Sequence, residues 1–131
     1  MRIGDRLVGK IEGQLFDILN KLRDLEEREF QIRSEMRRLR PISGTLERKI
    51  VRNKVGKEYC YWYLRKWENG KLKSEFLGKK VPSIILKGIE DRKKLKELQK
   101  ELREIQKKRE KIIKTLMRIS KALSELLVIT I

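Results

Sequence analysis

The sequence predicts an α+β protein that is mostly α: a long antiparallel helical hairpin (a coiled coil) with a three-stranded antiparallel β-sheet inserted at its bend. Three observations predict this fold class. Apolar residues recur with coiled-coil spacing at both ends of the chain, the two patterns match in reverse order, and β-branched and aromatic residues with turn signals separate them. The predicted segments of this one elongated module are a first arm at 1–40, a β-meander insert at 41–82 and a second arm at 83–131.

The first arm contains a heptad seam. Apolar side chains follow one another at alternating spacings of three and four for more than four repeats, and a single slot holds Glu29 instead. Pro41 and Gly44 then end the predicted helix. The apolar members of the seam are Val8, Ile11, Leu15, Ile18, Leu22, Leu25, Ile32, Met36 and Leu39.

The second arm repeats this spacing, and Arg109 occupies its single interrupted slot. Its apolar members are Leu95, Leu98, Leu102, Ile105, Ile112, Leu116, Ile119, Leu123 and Leu126. An antiparallel pairing that sets Glu29 opposite Arg109 aligns both interruptions at once. The same pairing predicts further contacts: Ile32 with Ile105, Leu25 with Ile112, and Val8 with Ile129 or Thr130. A charged pair in a seam stabilises little, because desolvation offsets the attraction, but it fixes register. The alternative is that both interruptions are chance breaks at a solvated edge.

The insert contains Asn69-Gly70, the strongest short signal for a β-hairpin, because both central positions of a type I′ turn need positive φ. A two-residue loop there predicts the cross-strand pairs Trp67 with Leu72, Arg65 with Ser74, Tyr63 with Phe76 and Tyr61 with Gly78. Residues 45–52 are predicted to form a third strand, which joins the hairpin through residues 53–56.

This register predicts two sheet faces of different chemistry. One face carries Tyr59, Tyr61, Tyr63, Trp67, Leu72 and Phe76. The other carries Cys60, Trp62, Leu64 and Leu77 together with Lys66, Lys71, Lys73, Glu75 and Lys79. A small sheet is not stable with both faces in water. We therefore expect the aromatic face to pack on the apolar start of the second arm, at residues 85–89, and the lysine-bearing face to point outward.

The charge predicts a nucleic-acid partner. The chain has 35 Lys and Arg residues against 19 Asp and Glu residues, a net charge of +16, of which the insert and the second arm carry +7 each. We expect contacts to phosphates through the basic insert and the adjacent helix, with DNA favoured over RNA. The candidate binding residues are Arg37, Arg38, Arg40, Arg48, Lys49, Arg52, Lys54, Lys57, Arg65, Lys66, Lys71, Lys73 and Lys79. The alternative is that the aromatic residues are core and the charges solvate the sheet and guard its edges.

Self-association is a second expectation, because two helices bury only a thin core. It leads to the alternative function, a structural or chaperone-like oligomer without a nucleic-acid role. In that reading sheet edges pair between subunits, and the apolar residues 126–131 pack against a neighbouring copy.

Several functions are predicted to be absent. The chain has no histidine, no glycine-rich phosphate loop and one cysteine, Cys60, which is best read as a small buried hydrophobe. We therefore expect no enzyme activity, no cofactor, no metal site and no small-molecule substrate. No apolar run is long enough to cross a bilayer and the N-terminus lacks a signal-peptide core, which predicts a cytoplasmic protein without a membrane partner.

The insert also resembles known sequences. Residues Tyr59-Cys60-Tyr61-Trp62-Tyr63-Leu64-Arg65, Gly70-Lys71-Leu72-Lys73 and Phe76-Leu77-Gly78-Lys79 resemble a motif in small, uncharacterised basic proteins of archaea and their mobile elements. The resemblance implies an archaeal source and no particular activity, and the 41% of charged residues favours a heat-loving one. The helix–sheet–helix order is similar to a prefoldin subunit, whose coiled-coil arms are joined by β-hairpins that assemble into a barrel. The basic insert and its aromatic motif depart from that family.

Overall fold

The computed structural model describes residues 2–130, apart from the side chains of residues 129 and 130. Its elements are α1 (Ile3–Arg38), β1 (Thr45–Arg52), β2 (Glu58–Glu68), β3 (Lys71–Gly78) and α2 (Ser83–Thr130). The predicted fold class is confirmed: the chain is mostly helical, with a three-stranded antiparallel sheet between the two helices in sequence. Two compact units are present. The helix-pair unit joins the described residues up to 37 with those from 98 onward, and the sheet unit comprises residues 38–97.

The helix-pair unit is antiparallel. Lys21 and Leu25 of α1 line one groove with Lys108 and Ile112 of α2, whereas further along α1 the Arg28 side chain binds Glu101. The predicted seam residues are buried or half-buried from Leu15 to Met36 in α1 and from Leu98 to Ile119 in α2. Ile32, Leu98 and Ile105 are the most buried of them. The seam therefore forms the core of this unit.

The seam opens toward the ends of the chain. Val8 and Ile11 of α1 and Leu123 and Leu126 of α2 occupy seam positions but are exposed. The predicted contact of Val8 with Ile129 or Thr130, and the predicted packing of residues 129–131 against a neighbouring copy, lie outside the side chains that the structure describes. Over the described residues, neither helix contains a stretch long and apolar enough to span a membrane.

The predicted pairing of the two seam interruptions is confirmed. Arg109 Nη1 lies 2.6 Å from Glu29 Oε2, and Arg33 Nη2 donates to Glu29 Oε1 at 3.0 Å. The Glu29 side chain is only 10% exposed, so both of its oxygens need such partners. The carboxylate is thus buried in the seam with a cation on each oxygen.

A second ion pair lies on one flank of the helix pair. Arg28 Nε and Nη2 donate to the two oxygens of Glu101 at 2.8 and 3.0 Å. Hydrogen bonding by Arg28 lowers the pKa of Glu101 from its ordinary value, although burial opposes this shift. Arg28 precedes Glu29 and Glu101 precedes Leu102, and the seam spacing places Glu29 and Leu102 at heptad position a. Arg28 and Glu101 are therefore both at position g, and their pair identifies the flank on which the g positions of the two helices meet.

The sheet unit is built on the predicted turn. Asn69 has φ 51° and Gly70 has φ 76°, the two positive values that a type I′ turn requires. The predicted cross-strand pairs next to the turn are confirmed: Trp67 with Leu72, Arg65 with Ser74 and Tyr63 with Phe76. The predicted third strand is confirmed as β1, which pairs with β2 from Thr45 opposite Arg65 to Arg52 opposite Glu58.

The last predicted pair is wrong, because β3 contains a bulge. Gly78 is opposite Trp62 and not Tyr61, so Leu77 is an extra residue between the Phe76 and Gly78 pairs. Gly78 has φ 101°, a conformation that a residue with a Cβ atom rarely adopts. Beyond Leu77 the strand therefore changes the face to which its side chains point.

The prediction of which face is buried is wrong. Leu64 is the most buried residue of the sheet, at 1% exposure, and it points to the face opposite the tyrosines. Trp67 is 72% exposed and Phe76 is 58% exposed. We call the first surface, with Leu46, Cys60, Trp62, Leu64 and Lys66, the Leu64 face. We call the second, with Tyr59, Tyr61, Tyr63, Trp67, Leu72 and Phe76, the aromatic face.

The segment that precedes β1 packs closely on the start of α2. The Ile42 amide donates to the Gly88 carbonyl at 3.0 Å, and a Cβ atom built on Gly88 would overlap Ile42 Cγ1 and Cδ1. Arg92 Nη1, one helical turn later, donates to the carbonyls of Ile42 at 3.2 Å and Gly44 at 2.6 Å. A glycine is therefore required at position 88 for close approach, and Arg92 holds the chain as it enters the sheet.

We expect the substitution Glu29→Ala to destabilise the protein by about 1–3 kcal/mol, because it leaves Arg109 without its buried carboxylate partner. Chemical unfolding followed by circular dichroism measures the change. The double substitution Glu29→Leu/Arg109→Leu completes the apolar seam and is expected to be neutral or stabilising by about 1–4 kcal/mol. A double variant as unstable as Glu29→Ala would contradict this account.

We expect Gly88→Ala and Gly13→Ala to change stability in opposite directions. Alanine is favoured over glycine in a helix by about 1 kcal/mol, and no atom would lie within 4 Å of a Cβ at Gly13, so Gly13→Ala is expected to stabilise α1. At Gly88 the overlap with Ile42 costs about 1–3 kcal/mol and outweighs that gain. Thermal unfolding of both variants tests this, and Ile42→Ala is expected to restore part of the stability of Gly88→Ala.

Candidate nucleic-acid interface

The positive charge is concentrated in the sheet unit. Residues 38–97 contain 18 Lys and Arg residues and 7 Asp and Glu residues, a net charge of +11, whereas the rest of the chain carries +5. All of the predicted binding residues except Arg37 lie in this unit. Their local environments differ: some are paired with carboxylates, two lie over aromatic rings, Arg48 binds the sulfur of Cys60, and others are exposed.

Carboxylates neutralise part of the Leu64 face. Lys66 Nζ lies 3.3 Å from Glu68 and 3.8 Å from Glu75, and Lys73 Nζ lies 3.2 Å from the other oxygen of Glu68. Hydrogen bonds from Lys73 and then Lys66 lower the pKa of Glu68 from its ordinary value. The structure thus brings Lys66 and Lys73 together, but around a carboxylate that reduces their combined field.

Two arginines of the predicted site are also paired. Arg52 Nη2 lies 2.8 Å from Glu58 Oε1, across the β1–β2 pair. Arg65 Nε lies 3.2 Å from Glu47 Oε2, which is buried but is not aligned for a hydrogen bond. The second pair is therefore an ion pair held by charge and proximity, and its guanidinium keeps donors for a further partner.

Two lysines lie over tyrosine rings. Lys49 Nζ is 4.7 Å from the centre of the Tyr63 ring, and Lys79 Nζ is 5.7 Å from the centre of the Tyr59 ring. Both distances are in the range of cation–π attraction. The prediction placed Lys79 on the lysine-bearing face. That placement is wrong, because the bulge at Leu77 turns the chain and brings Lys79 over the aromatic face.

Arg48 has an unexpected partner. Its Nη2 donates to Cys60 Sγ at 3.1 Å, and this hydrogen bond raises the pKa of Arg48. Cys60 is half-buried, and its sulfur accepts this hydrogen bond from the exposed guanidinium of Arg48.

The remaining predicted residues are presented at the borders of the unit. Arg38, Lys54, Lys57 and Lys71 are exposed. The β1–β2 turn that carries two of them is held by Asn53 Oδ1, which accepts hydrogen bonds from the backbone amides of residues 55 and 57 at 3.0 Å each. Arg40 donates from Nη1 to the neighbouring Leu39 carbonyl, and its backbone amide donates to Asp91.

A groove in the sheet unit adds two basic residues, Arg92 and Lys96, that are not among the predicted binding residues. It has a volume of about 870 Å³ and lies among Thr45, Arg65, Trp67 and Leu72 of the sheet and Arg92 and Lys96 of α2. Arg92 follows Ile85 and Ile89 at helical spacing, and all three are half-buried. That spacing is the signal that would have identified Arg92 as part of a packed surface.

The arrangement defines a class of protein: an antiparallel helix pair with a basic, aromatic β-meander, whose cations can neutralise phosphates and whose rings are open to a ligand. The chain belongs to the family described as a domain of unknown function (DUF6788), which matches residues 15–85, more than half of the chain. The matched residues contain all three strands. No curated protein and no solved structure shows significant similarity to the chain.

Proposed function

We propose that this protein binds nucleic acid, with DNA favoured over RNA, through the basic sheet unit, and that it is not an enzyme. The observation that carries the proposal is the concentration of +11 of the net charge of +16 in residues 38–97. Nucleic-acid affinity is dominated by phosphate neutralisation, and a basic patch of this size is its usual electrostatic footprint.

The distribution of the cations supports this proposal. Exposed lysines lie at both turns of the sheet, Lys54 and Lys57 at one and Lys71 at the other. Lys66 and Lys73 share Glu68, yet solvent-accessible ion pairs of this kind contribute little to stability, and the lysines can exchange the carboxylate for a phosphate. The sheet unit therefore offers several phosphate contacts at little cost in stability.

We expect the double substitution Lys71→Glu/Lys73→Glu to weaken DNA binding and to reduce its salt dependence. Log affinity is expected to fall linearly with log salt, by about 0.9 per neutralised duplex phosphate, so the loss of two contacts reduces the slope by roughly 2. Fluorescence anisotropy with labelled duplex DNA, single-stranded DNA and duplex RNA, over a salt series, measures both quantities.

The matched control is Lys10→Glu/Lys21→Glu, which changes the net charge equally. Both residues are exposed on α1, in the helix-pair unit. If this control weakens binding as much as the sheet variant, binding is a property of total charge and not of the sheet. Wild-type protein that binds none of the three nucleic acids near physiological salt would refute the proposed function.

A second candidate function is the structural oligomer, and the helix-pair unit favours it. Because Arg28 and Glu101 place the g positions on one flank, the e positions of both helices lie on the other. In α2 the e positions are Gln99, Gln106, Ile113, Ser120 and Leu127, none of them charged in a chain with 41% charged residues. The exposed apolar residues at e and the neighbouring b positions form what we call the apolar flank: Phe16, Leu19 and Phe30 of α1, and Ile113, Met117 and Leu127 of α2.

A second copy is the occupant that this flank fits best. Two helix pairs joined along such flanks make a four-helix bundle, and a two-fold axis lets the same surface serve on both copies. Arg23 and Glu26 lie on the same side of α1 and provide opposite charges at the rim.

We expect Phe16→Glu/Met117→Glu to convert an oligomer into a monomer, because two charges would be buried without partners between the copies. Light scattering after size exclusion measures the mass at several concentrations. The control is Val55→Glu/Ile84→Glu, which replaces two exposed apolar residues of the sheet unit. A wild-type protein that stays monomeric at high concentration removes this candidate.

Location and source complete the proposal. The charge-rich composition and the insert motif support an archaeal, heat-loving organism, and a cytoplasmic location is part of the same proposal.

A further inference from the structure

The aromatic face of the sheet is open although its composition is that of a core. The solvated face of an antiparallel sheet ordinarily carries polar side chains. Here Trp67, Leu72 and Phe76 are exposed on it, and the tyrosines of β2 are half-buried. An exposed apolar patch with a charged rim marks an interaction site, and phosphate neutralisation alone leaves these rings without a role.

The rings form a continuous surface. Phe76 of β3 lies with its centre 5.5 Å from both Tyr61 and Tyr63 of β2, and Tyr59 lies 6.3 Å from Tyr61 at an interplanar angle of 21°. The bulge at Leu77 follows directly after Phe76. The sheet thus supports four rings side by side.

Cations lie over two rings of this surface and beside a third. Lys49 on β1 lies over Tyr63, and Lys79 after β3 lies over Tyr59. Arg65 is on the same face, between Tyr63 and Trp67 along β2, and also lines the groove that contains Trp67 and Leu72. A ligand on the rings would therefore have positive charge on either side of it.

We propose that the aromatic face is a stacking platform for unpaired bases, so that the preferred ligand is single-stranded nucleic acid. This inference rests on the proposed function. Aromatic rings stack on the faces of bases, and those faces are accessible in a single strand but covered by neighbouring base pairs in a duplex. Lysine and arginine at the rim then meet the phosphates of the same strand. A duplex would use the cations and leave the rings uncovered.

The groove lies near the hairpin end of the platform, and residues of both sheet faces line it, Leu46 and Lys66 from the Leu64 face as well as Trp67 and Leu72 from the aromatic face. Trp67 stands beside the Asn69-Gly70 turn, and the groove beside it contains Arg65 and Arg92. Its volume of about 870 Å³ is sufficient for a nucleotide-sized group, since ligand pockets for small molecules begin at about 300 Å³. A base stacked on Trp67 would have guanidinium groups within the same groove for its phosphate.

The test compares full-length variants on a labelled single strand and on the duplex of the same sequence. We expect wild type to bind the single strand at least 10-fold more tightly, and Phe76→Leu and Trp67→Leu each to weaken that binding on the order of 10-fold to 100-fold. The salt slope is expected to stay unchanged, because these substitutions remove no charge. Phe76→Tyr keeps the ring and is expected to bind like wild type, and Ile50→Ala is the control for an exposed apolar residue on the opposite face.

A direct signal comes from the tryptophans, of which the chain has two. In the variant Trp62→Phe, Trp67 is the only one left, and stacking of a base on it is expected to quench its fluorescence. Circular dichroism checks that each variant keeps its fold. If Ile50→Ala weakens single-strand binding as much as Phe76→Leu does, the platform is overturned, because the loss of affinity then reflects the stability of the sheet and not stacking on a ring.

The outcomes separate this inference from the proposed function. If no nucleic acid binds, the proposed function fails and the platform fails with it. If duplex DNA binds as well as the single strand, and the ring variants bind like wild type, only the platform is overturned. If Phe76→Leu instead changes the oligomeric state without changing affinity, the aromatic face is a protein interface, which also overturns the platform.

Discussion

The turn at Asn69-Gly70 is the constraint on which the sheet unit depends. Two successive residues with positive φ produce the turn twist that antiparallel strands require, and they fix which residues of β2 and β3 face each other. Because side chains alternate along a strand, a shift of one residue would exchange the faces. The turn therefore determines that Leu64 points to one side and the tyrosines to the other. The ion pairs around Glu68 and the pairing of Phe76 with Tyr63 follow from that register.

In the helix-pair unit the corresponding constraint is electrostatic. Glu29 sits in an otherwise apolar seam and has cations on both oxygens, one from its own helix and one from α2. Such a pair contributes specificity more than stability, since any slip of the helices would leave a buried carboxylate without its partner. The g-position pair of Arg28 and Glu101 orients the same two helices about their axes. In this orientation the e positions of both helices lie on the opposite flank, and those of α2 are uncharged.

Much of this fold could be predicted from the sequence, because its signals are local. The heptad spacing, the reciprocal interruptions at Glu29 and Arg109 and the Asn-Gly turn each act over a few residues or repeat many times. The bulge at Leu77 could not be predicted from the turn, because register is certain only near the loop that sets it. Gly78 indicates an irregularity in the strand, but a glycine within a strand can mark a bulge, a bend or a close approach of another chain segment.

The error on the buried face has a different cause. Both faces carry apolar side chains, with Leu64 and Trp62 on one and tyrosines on the other, so alternation alone does not say which is covered. That choice depends on tertiary packing, as does the role of Arg92, which binds two backbone carbonyls in a segment some 50 residues away. The basic residues of the candidate site could be chosen from the sequence by their charge and position. Which of them pair with carboxylates, lie over rings or are exposed depends on the three-dimensional structure.

The order of the strands has a consequence for how the chain folds. In the meander each strand pairs with its neighbour in sequence, so its contacts are local and form quickly. The contacts between α1 and α2 close loops of 73 and 80 residues. If the sheet has already formed, the flexible part of those loops is shorter by roughly half. The entropic free-energy cost of closing them is then lower by about 0.6 kcal/mol. Folding is thus expected to start at the β-hairpin and to end with the helices closing from the sheet toward the chain ends.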